Sequence, residues 1–322
     1  MEKRHWTGVF PAITTPFHPD LTVDHDALAA HVTWMVDSGC TGIVALGSLG
    51  ESATLAFDEK VEILRTCHRA VGARVPIVAG VAGLSTAECV ALARAAEGAG
   101  CEGLMVMPAY VHVGDWKETR AHYAAVFGAT PLSCMLYNNP LAYRTNVTPA
   151  QLADLAAEHA NLHSVKESSG DVRRVTEIRE IMGDRVVIFA GIDDMILEAM
   201  AVGATGWIAG MVNAMPEESV RVFELAAAGR WQEAMELYHW FLPLLRLDTV
   251  PKFVQLIKLA QAEVGRGTTT VRPPRLDVEG EELEAALTVI RAAVKTRPAL
   301  PASGGPLTAH PAPGLVTAAT PG

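Results

Sequence analysis

Eight short apolar runs, each followed by a stretch with helical spacing, constrain this chain more than any other feature. The runs fall at 8–14, 42–47, 76–81, 103–107, 132–137, 162–166, 186–190 and 205–209, and Val, Ile, Leu and Met dominate them. Continuous apolar character over so few residues suits strands buried on both faces, as in a parallel sheet covered by helices. Between the runs, apolar residues recur with helical periodicity at 28–36, 60–70, 87–97 and 172–182. Several of these stretches run into glycine, as at Gly39, Gly72, Gly100 and Gly183, where a left-handed cap is expected to end the helix. Eight such units predict an α/β fold, a (β/α)8 TIM barrel. The competing arrangement is a doubly wound open sheet. Its G-x-G-x-x-G fingerprint is missing after the first run, and no G-x-x-x-x-G-K-[ST] occurs anywhere.

The barrel is expected to occupy residues 1–230. Helical patterns at 231–242, 251–264 and 279–295 then predict extra C-terminal helices, an extension over 231–296. From 297 to 322 the chain turns to Pro, Ala, Gly, Ser and Thr, a composition expected to stay disordered.

Charge and cysteine usage narrow the function classes. Acidic residues outnumber basic ones by 36 to 26, and no Lys/Arg stripe is present. This argues against nucleic acid or an anionic membrane as partner. The five cysteines are widely spaced without a C-x-x-C, the usage of a reducing cytoplasm and not of a disulfide framework or zinc site. The histidines form no H-E-x-x-H, so no metal is expected, and His112 and His163 read as structural residues. No signal peptide fits the amino terminus, and no apolar run approaches the ~18 residues of a membrane span. The expectation is a cytoplasmic protein.

In a barrel the active site lies at the carboxy-terminal ends of the strands. The sixth run ends Val165-Lys166-Glu167-Ser168-Ser169. A lysine there points into the barrel mouth, where desolvation disfavours the ammonium and favours a neutral amine able to attack a carbonyl. The plainer alternative is a rim lysine paired with a carboxylate. The fifth run ends Tyr137-Asn138-Asn139-Pro140, and a tyrosine one strand from Lys166 can carry protons to an adduct. As a lone feature it reads better as a core aromatic whose hydroxyl meets water, but not once it is taken together with Lys166. The second run leads into Gly47-Ser48-Leu49-Gly50-Glu51, a tight turn whose N–H groups can hold a carboxylate and whose Ser48 hydroxyl can meet a tyrosine. The turns after the seventh and eighth runs keep a phosphosugar enzyme in play. Asp193 and Asp194 are expected there as helix caps that would repel a phosphate.

Taken in order on strands two, five and six, these three motifs resemble the dihydrodipicolinate synthase / N-acetylneuraminate lyase superfamily of class I aldolases and lyases. The likeness runs from about Gly8 to about Lys295. It implies that Lys166 forms a Schiff base with a small 2-oxo acid or cyclic imine, with no cofactor and no metal, the protonated Schiff base being the electron sink. It implies that Tyr137 shuttles protons and that Ser48 links it to a second tyrosine, matching Tyr110, lent by a neighbouring subunit. It further implies that the substrate carboxylate rests on the backbone of Ser48 and Leu49, that Gly191 and Ile208 line the pocket, and that the protein is a homotetramer built as a dimer of dimers.

Two departures from the family pattern bear on the substrate. A second hydroxyl is usual where Leu49 stands, and synthases carry an Arg shortly after Y-N-x-P for the carboxylate of their aldehyde substrate. Here Arg144 is displaced. The segments 137–148, 165–178 and 247–252 look more like bacterial 1-pyrroline-4-hydroxy-2-carboxylate deaminases, which implies 2-oxoglutarate semialdehyde and ammonia as products. A pyruvate-dependent aldolase or 4-hydroxy-tetrahydrodipicolinate synthase is the second reading. A non-catalytic paralogue that binds a 2-oxo acid is the third, and the retention of Lys166, Tyr137, Ser48 and Tyr110 argues against it.

Overall fold

The apolar runs form strands because both of their faces find cover. The computed structural model describes residues 1–300. Its strands are β1 (Gly8–Pro11), β2 (Ile43–Ala45), β3 (Ile77–Val81), β4 (Gly103–Val106), β5 (Ser133–Asn138), β6 (Leu162–Glu167), β7 (Val187–Ala190) and β8 (Gly206–Ala209). Nearly every residue in them is buried. All pairings are parallel, in the order β1-β8-β7-β6-β5-β4-β3-β2. A parallel bridge between Ala12 and Val44 joins the two ends, supported by the bond from Ile13 N to the Val44 carbonyl at 3.0 Å. The result is the expected (β/α)8 barrel.

Helices α1 (His25–Asp37), α2 (Phe57–Val71), α3 (Thr86–Gly98), α4 (Trp116–Phe127), α5 (Pro140–Tyr143), α6 (Pro149–Glu158), α7 (Arg173–Met182), α8 (Ile196–Ala201) and α9 (Pro216–Ala227) alternate with the strands. Side-chain caps start several of them. Asp115 and Glu118 exchange bonds with each other's backbone N–H at the head of α4, at 2.9 and 3.1 Å, and Thr148 and Gln151 do the same for α6. Beyond the barrel lie α10 (Trp231–Leu245), α11 (Phe253–Glu263) and α12 (Gly280–Lys295). Helix α10 packs on α9, and α12 packs on α10.

Several boundaries differ from the sequence reading, each for a local reason. The run at 8–14 leaves the sheet after Pro11 because the Thr14 amide turns to the Asn213 side chain, at 3.1 Å. The run at 42–47 stops at Ala45 because Leu46 adopts a positive φ of 63°. Gly39 and Gly100 are left-handed as expected, but Gly72 stays right-handed at φ −61° and its N–H still bonds His68 O. Pro243 does not end α10. Leu244 and Leu245 beyond it are fully buried, and that burial outweighs one missing backbone bond. The expected disorder over 297–322 falls mostly outside the described residues. At its start Arg297 is anchored instead, its guanidinium bonded to the buried Glu218 carboxylate.

The amino-terminal end of the barrel is stopped by aromatics. Trp6, Phe10 and Phe189 lie with ring centroids 5.3–5.9 Å apart. The Trp6 indole donates to Ser133 Oγ at 2.7 Å, which in turn meets His163 Nδ1 at 2.7 Å. His163 is thus a structural residue, and exposed His112 faces Glu118 at 3.4 Å. With this end filled, the opposite end is left for chemistry.

Candidate active site

The period-two alternation of a strand settles which residues of β6 face the mouth. Glu167 turns outward, where it accepts from Asn138 Nδ2 at 3.0 Å, Ser169 N at 2.7 Å and Arg174 Nε at 3.3 Å. Lys166, one residue earlier, therefore points inward. Its neighbours across the sheet are Tyr137 on β5 and Phe189 on β7, and its Nζ lies 4.3 Å from the centre of the Tyr137 ring. Burial pulls the ammonium down from its usual range to about 8, against the opposing pull of Asp248 and Asp193. A substantial fraction is then neutral near pH 7.5, the form a nucleophile needs.

One flank of Lys166 is a cluster of hydroxyls. Burial pushes the Tyr137 phenol up, so it keeps its proton, and its oxygen accepts from Asn139 Nδ2 at 3.0 Å. Asn139 also caps α5, accepting from Ala142 N at 3.0 Å, while Pro140 supplies the first helical position. This single turn carries Tyr143 back over the mouth. Its hydroxyl bonds Ser48 Oγ, and its ring lies 5.7 Å from both Tyr137 and Tyr110. Burial raises the phenols of Tyr110 and Tyr143 as well, and the Tyr110 hydroxyl lies 3.6 Å from Met107 Sδ.

Ser48 sits in a loop fixed by Leu46 and Glu51, both at positive φ. Glu51 is wholly buried and is held by Lys258 of α11 at 2.6 Å and by the Arg272 amide at 2.9 Å. The amides of Ser48 and Leu49 take no partner among the described residues, as free donors for a carboxylate should. The Leu49 side chain is buried in the core. Gly191 lies against the lysine stem: a Cβ there would come within 2.7 Å of Lys166 Cε and 2.0 Å of Ser168 Oγ. Gly206 packs on the inward Phe189 ring, so Ile208, two residues on, also faces inward, one layer nearer the mouth.

The other flank carries two carboxyls that the sequence reading did not place in the site. Asp193 was expected to cap a helix, but the short turn Asp193–Met195 receives no side-chain cap. Its buried carboxylate accepts instead from Gly210 N at 3.1 Å and Met211 N at 2.9 Å, beyond β8. Asp194 pairs with Arg246 at 3.6 Å. Asp248 enters from the turn Arg246–Asp248 that follows α10. A Cβ on Gly210 would lie 2.3 Å from its Oδ1, an atom shielded from solvent that has no hydrogen-bond partner among the described residues. Burial raises Asp193 to about 6, its two amide bonds resisting. Burial and then the charge of Asp193 drive Asp248 well above the carboxylate range.

Lys166, Tyr137, Ser48 and Tyr110 thus share one mouth, joined by Tyr143, Asn139, Asp193 and Asp248. Arg144 does not join them: it is exposed, ends α5 at φ 61°, and has no ion pair among the described residues. Tyr143 and Asn139 had a signal in the sequence, since Asn-Pro opens a helix and one turn brings the fourth residue back. Asp248 had none of that kind, because it arrives from a distant extension. His159 and His163 are four apart, but the first follows α6 and packs on Phe127 at 5.5 Å while the second bonds Ser133. Among the described residues no group of three or more His, Cys, Asp or Glu is placed to hold a metal ion, and no helix is long and apolar enough to cross a membrane.

Comparison with known proteins finds relatives over most of the chain. Residues 5–293 match the dihydrodipicolinate synthetase family. A 4-hydroxy-tetrahydrodipicolinate synthase of Rhizobium meliloti is 34% identical over 269 residues, covering 84% of this chain and 92% of the relative. The crystal structure of the chloride-inhibited dihydrodipicolinate synthase of Acinetobacter baumannii, complexed with pyruvate, superposes with a TM-score of 0.85 at 27% identity, covering 89% of this chain and 99% of that one. The 4-hydroxy-tetrahydrodipicolinate synthase of Methylacidiphilum fumariolicum gives 0.85 at 27%, covering 90% and 97%.

Proposed function

Since this chain belongs to the dihydrodipicolinate synthetase family and is therefore a class I, Schiff-base-forming lyase or aldolase, we propose that Lys166 is its covalent residue and a small cyclic imine its substrate. The best candidate is 1-pyrroline-4-hydroxy-2-carboxylate. Nζ of Lys166 attacks the ring carbon that bears the carboxylate, and the ring nitrogen leaves that carbon. Tyr137 moves protons at the neighbouring carbon as the 4-hydroxyl departs. The double bond left behind moves to C5 as an imine, and water hydrolyses this imine and the Schiff base in turn, releasing ammonia and 2-oxoglutarate semialdehyde with one water consumed overall. The free amides of Ser48 and Leu49 are assigned to the substrate carboxylate.

The observation that carries this reading is the charge around Lys166. A synthase must bind an aldehyde with a carboxylate of its own, for which a cation is needed. Here Arg144 is exposed and without an ion pair among the described residues, while Asp193 and Asp248 bring acidic groups to Lys166. Two carboxyls repel a second substrate carboxylate and welcome a departing amine. The synthase reading has its own support in the relatives, the Rhizobium meliloti protein among them. Purified protein given 1-pyrroline-4-hydroxy-2-carboxylate should release ammonia, and given pyruvate with aspartate semialdehyde should form little product. Turnover in the condensation alone rejects the deaminase.

We also assign the working form to a cytoplasmic homotetramer with the Tyr110 segment at an interface between copies. Leu84, Val111 and Val113 stand exposed around the Tyr110 segment, an apolar surface of the kind a partner copy covers. Light scattering that returns a monomer at assay concentration would reject this assignment.

A further inference from the structure

The carboxyl pair beside Lys166 is unexplained by the hydroxyl chemistry on the opposite flank. Its two members come from different parts of the chain, Asp193 after β7 and Asp248 after α10. Asp193 spends its oxygens on the amides of Gly210 and Met211, a fixed anchor that favours the ionised form. Asp248 has no backbone anchor: its side chain bonds that of Asp193, and its Oδ1 is buried without a partner against Gly210. The charged and titratable groups around Asp248 are Asp193, Lys166, Tyr137 and Asp194, the last paired with Arg246.

Two carboxyls packed this closely hold one proton between them, because both cannot ionise in a desolvated site. We propose that Asp248 is the acid of this site: it gives the shared proton to the atom that leaves the carbon attacked by Lys166. The step balances as follows. After Nζ has added, the carbon carries Nζ and the leaving atom, which is the ring nitrogen of a cyclic imine or the hydroxyl of a 2-oxo acid adduct. The Nζ lone pair forms the C=N bond, and the bond to the leaving atom breaks. That atom keeps the electron pair and takes the proton from Asp248. The lysine becomes a protonated Schiff base carrying one positive charge, and the pair becomes two carboxylates facing it. Tyr137, on the other flank, is left to work at the neighbouring carbon. The burial of the pair supports this division, since it raises both carboxyls, Asp193 to about 6 and Asp248 well above its usual range.

This inference rests on the Schiff-base reading but not on the choice of substrate, so pyruvate serves as the probe. The rate at which a borohydride-trappable adduct forms at Lys166 is followed by mass spectrometry for wild type, Asp248→Asn and Asp248→Glu. Asparagine keeps the volume and an N–H donor but has no proton to give. Asp248→Asn should form the adduct roughly 10²-fold or more slowly, lose the fall in rate that follows loss of the pair's proton at high pH, and keep exchanging the pyruvate methyl protons once the adduct exists. Asp248→Glu should recover part of the rate. Gly210→Ala, whose Cβ displaces the carboxyl without removing it, should slow the same step and serves if Asp248→Asn does not fold. An adduct that forms in folded Asp248→Asn at the wild-type rate and pH dependence overturns the proposal. Ammonia release from the pyrroline is scored separately in the wild type, and its absence rejects only the substrate. Absence of any pyruvate adduct at Lys166 overturns both.

Discussion

At the scale of single residues, the site is governed by how much water each group has lost. Lys166 is held near 8 by burial, so the rate of adduct formation with pyruvate should rise between pH 6 and 8 as the ammonium sheds its proton. Because Lys166, Asp193 and Asp248 feel one another, the profile reports the triad as a unit. Lys166→Ala should abolish borohydride trapping altogether. Tyr137→Phe should leave trapping possible but lower turnover by about 10²–10⁴-fold, the usual contribution of an acid/base group. Gly191→Ala tests the close approach directly. Its Cβ would overlap Ser168 Oγ and the lysine stem, and overpacking of this kind typically costs about 1–3 kcal/mol. kcat should fall more than stability does, because the displaced atoms belong to the nucleophile.

At the scale of elements, the decisive piece is α5, a single turn between β5 and α6. Its cap residue Asn139 bonds both the Ala142 amide and the Tyr137 hydroxyl, so one side chain ties helix start to proton carrier. Asn139→Ala should therefore cost about 1 kcal/mol in stability for the lost cap, and separately change the pH dependence of kcat. Asn139→Asp restores the cap but not the N–H donor, and thermal melts set beside pH profiles will separate the two effects. Strand five and its end at Tyr137-Asn138-Asn139-Pro140 were legible in the sequence as a strand end. The inward position of Tyr143 follows only once Asn139-Pro140 opens a single helical turn, which brings its last residue back over the mouth. The left-handed Arg144 ends the turn and leaves its guanidinium in solvent.

At the scale of the whole molecule, the C-terminal extension is part of the active site. Asp248 brings a carboxyl to Lys166 from the turn after α10, and Lys258 of α11 reaches Glu51 under the Ser48 loop. Arg272 adds a second tie, its amide to Glu51 and its guanidinium to Glu59 and the carbonyls of Leu21 and Thr54. Lys258→Met leaves Glu51 buried with its main cation gone, a change that typically costs about 3–5 kcal/mol. A clearly lowered Tm is expected, with part of the loss recovered by Glu51→Gln on the same background. Loss of activity at temperatures where Lys258→Met is still folded would show that the loop is held in position by this pair.

By itself the sequence determined the barrel, its eight strands and the helical extension, and its strand ends pointed to Lys166, Tyr137 and Ser48 as candidate site residues, Tyr110 being implied only by the family resemblance. Those features are written in short-range patterns: burial on both faces makes a strand run apolar throughout, 3.6-residue spacing marks helices, and strand ends in a barrel converge on one mouth. What only the tertiary structure decided is which charges meet there. Asp193 reads locally as a helix cap, and Asp248 as a polar residue between two helices. Each takes its meaning from partners brought close by the closure of β7 and β8 and the docking of α10. Electrostatics in a desolvated site depends on distance in space, which no local pattern in the chain encodes.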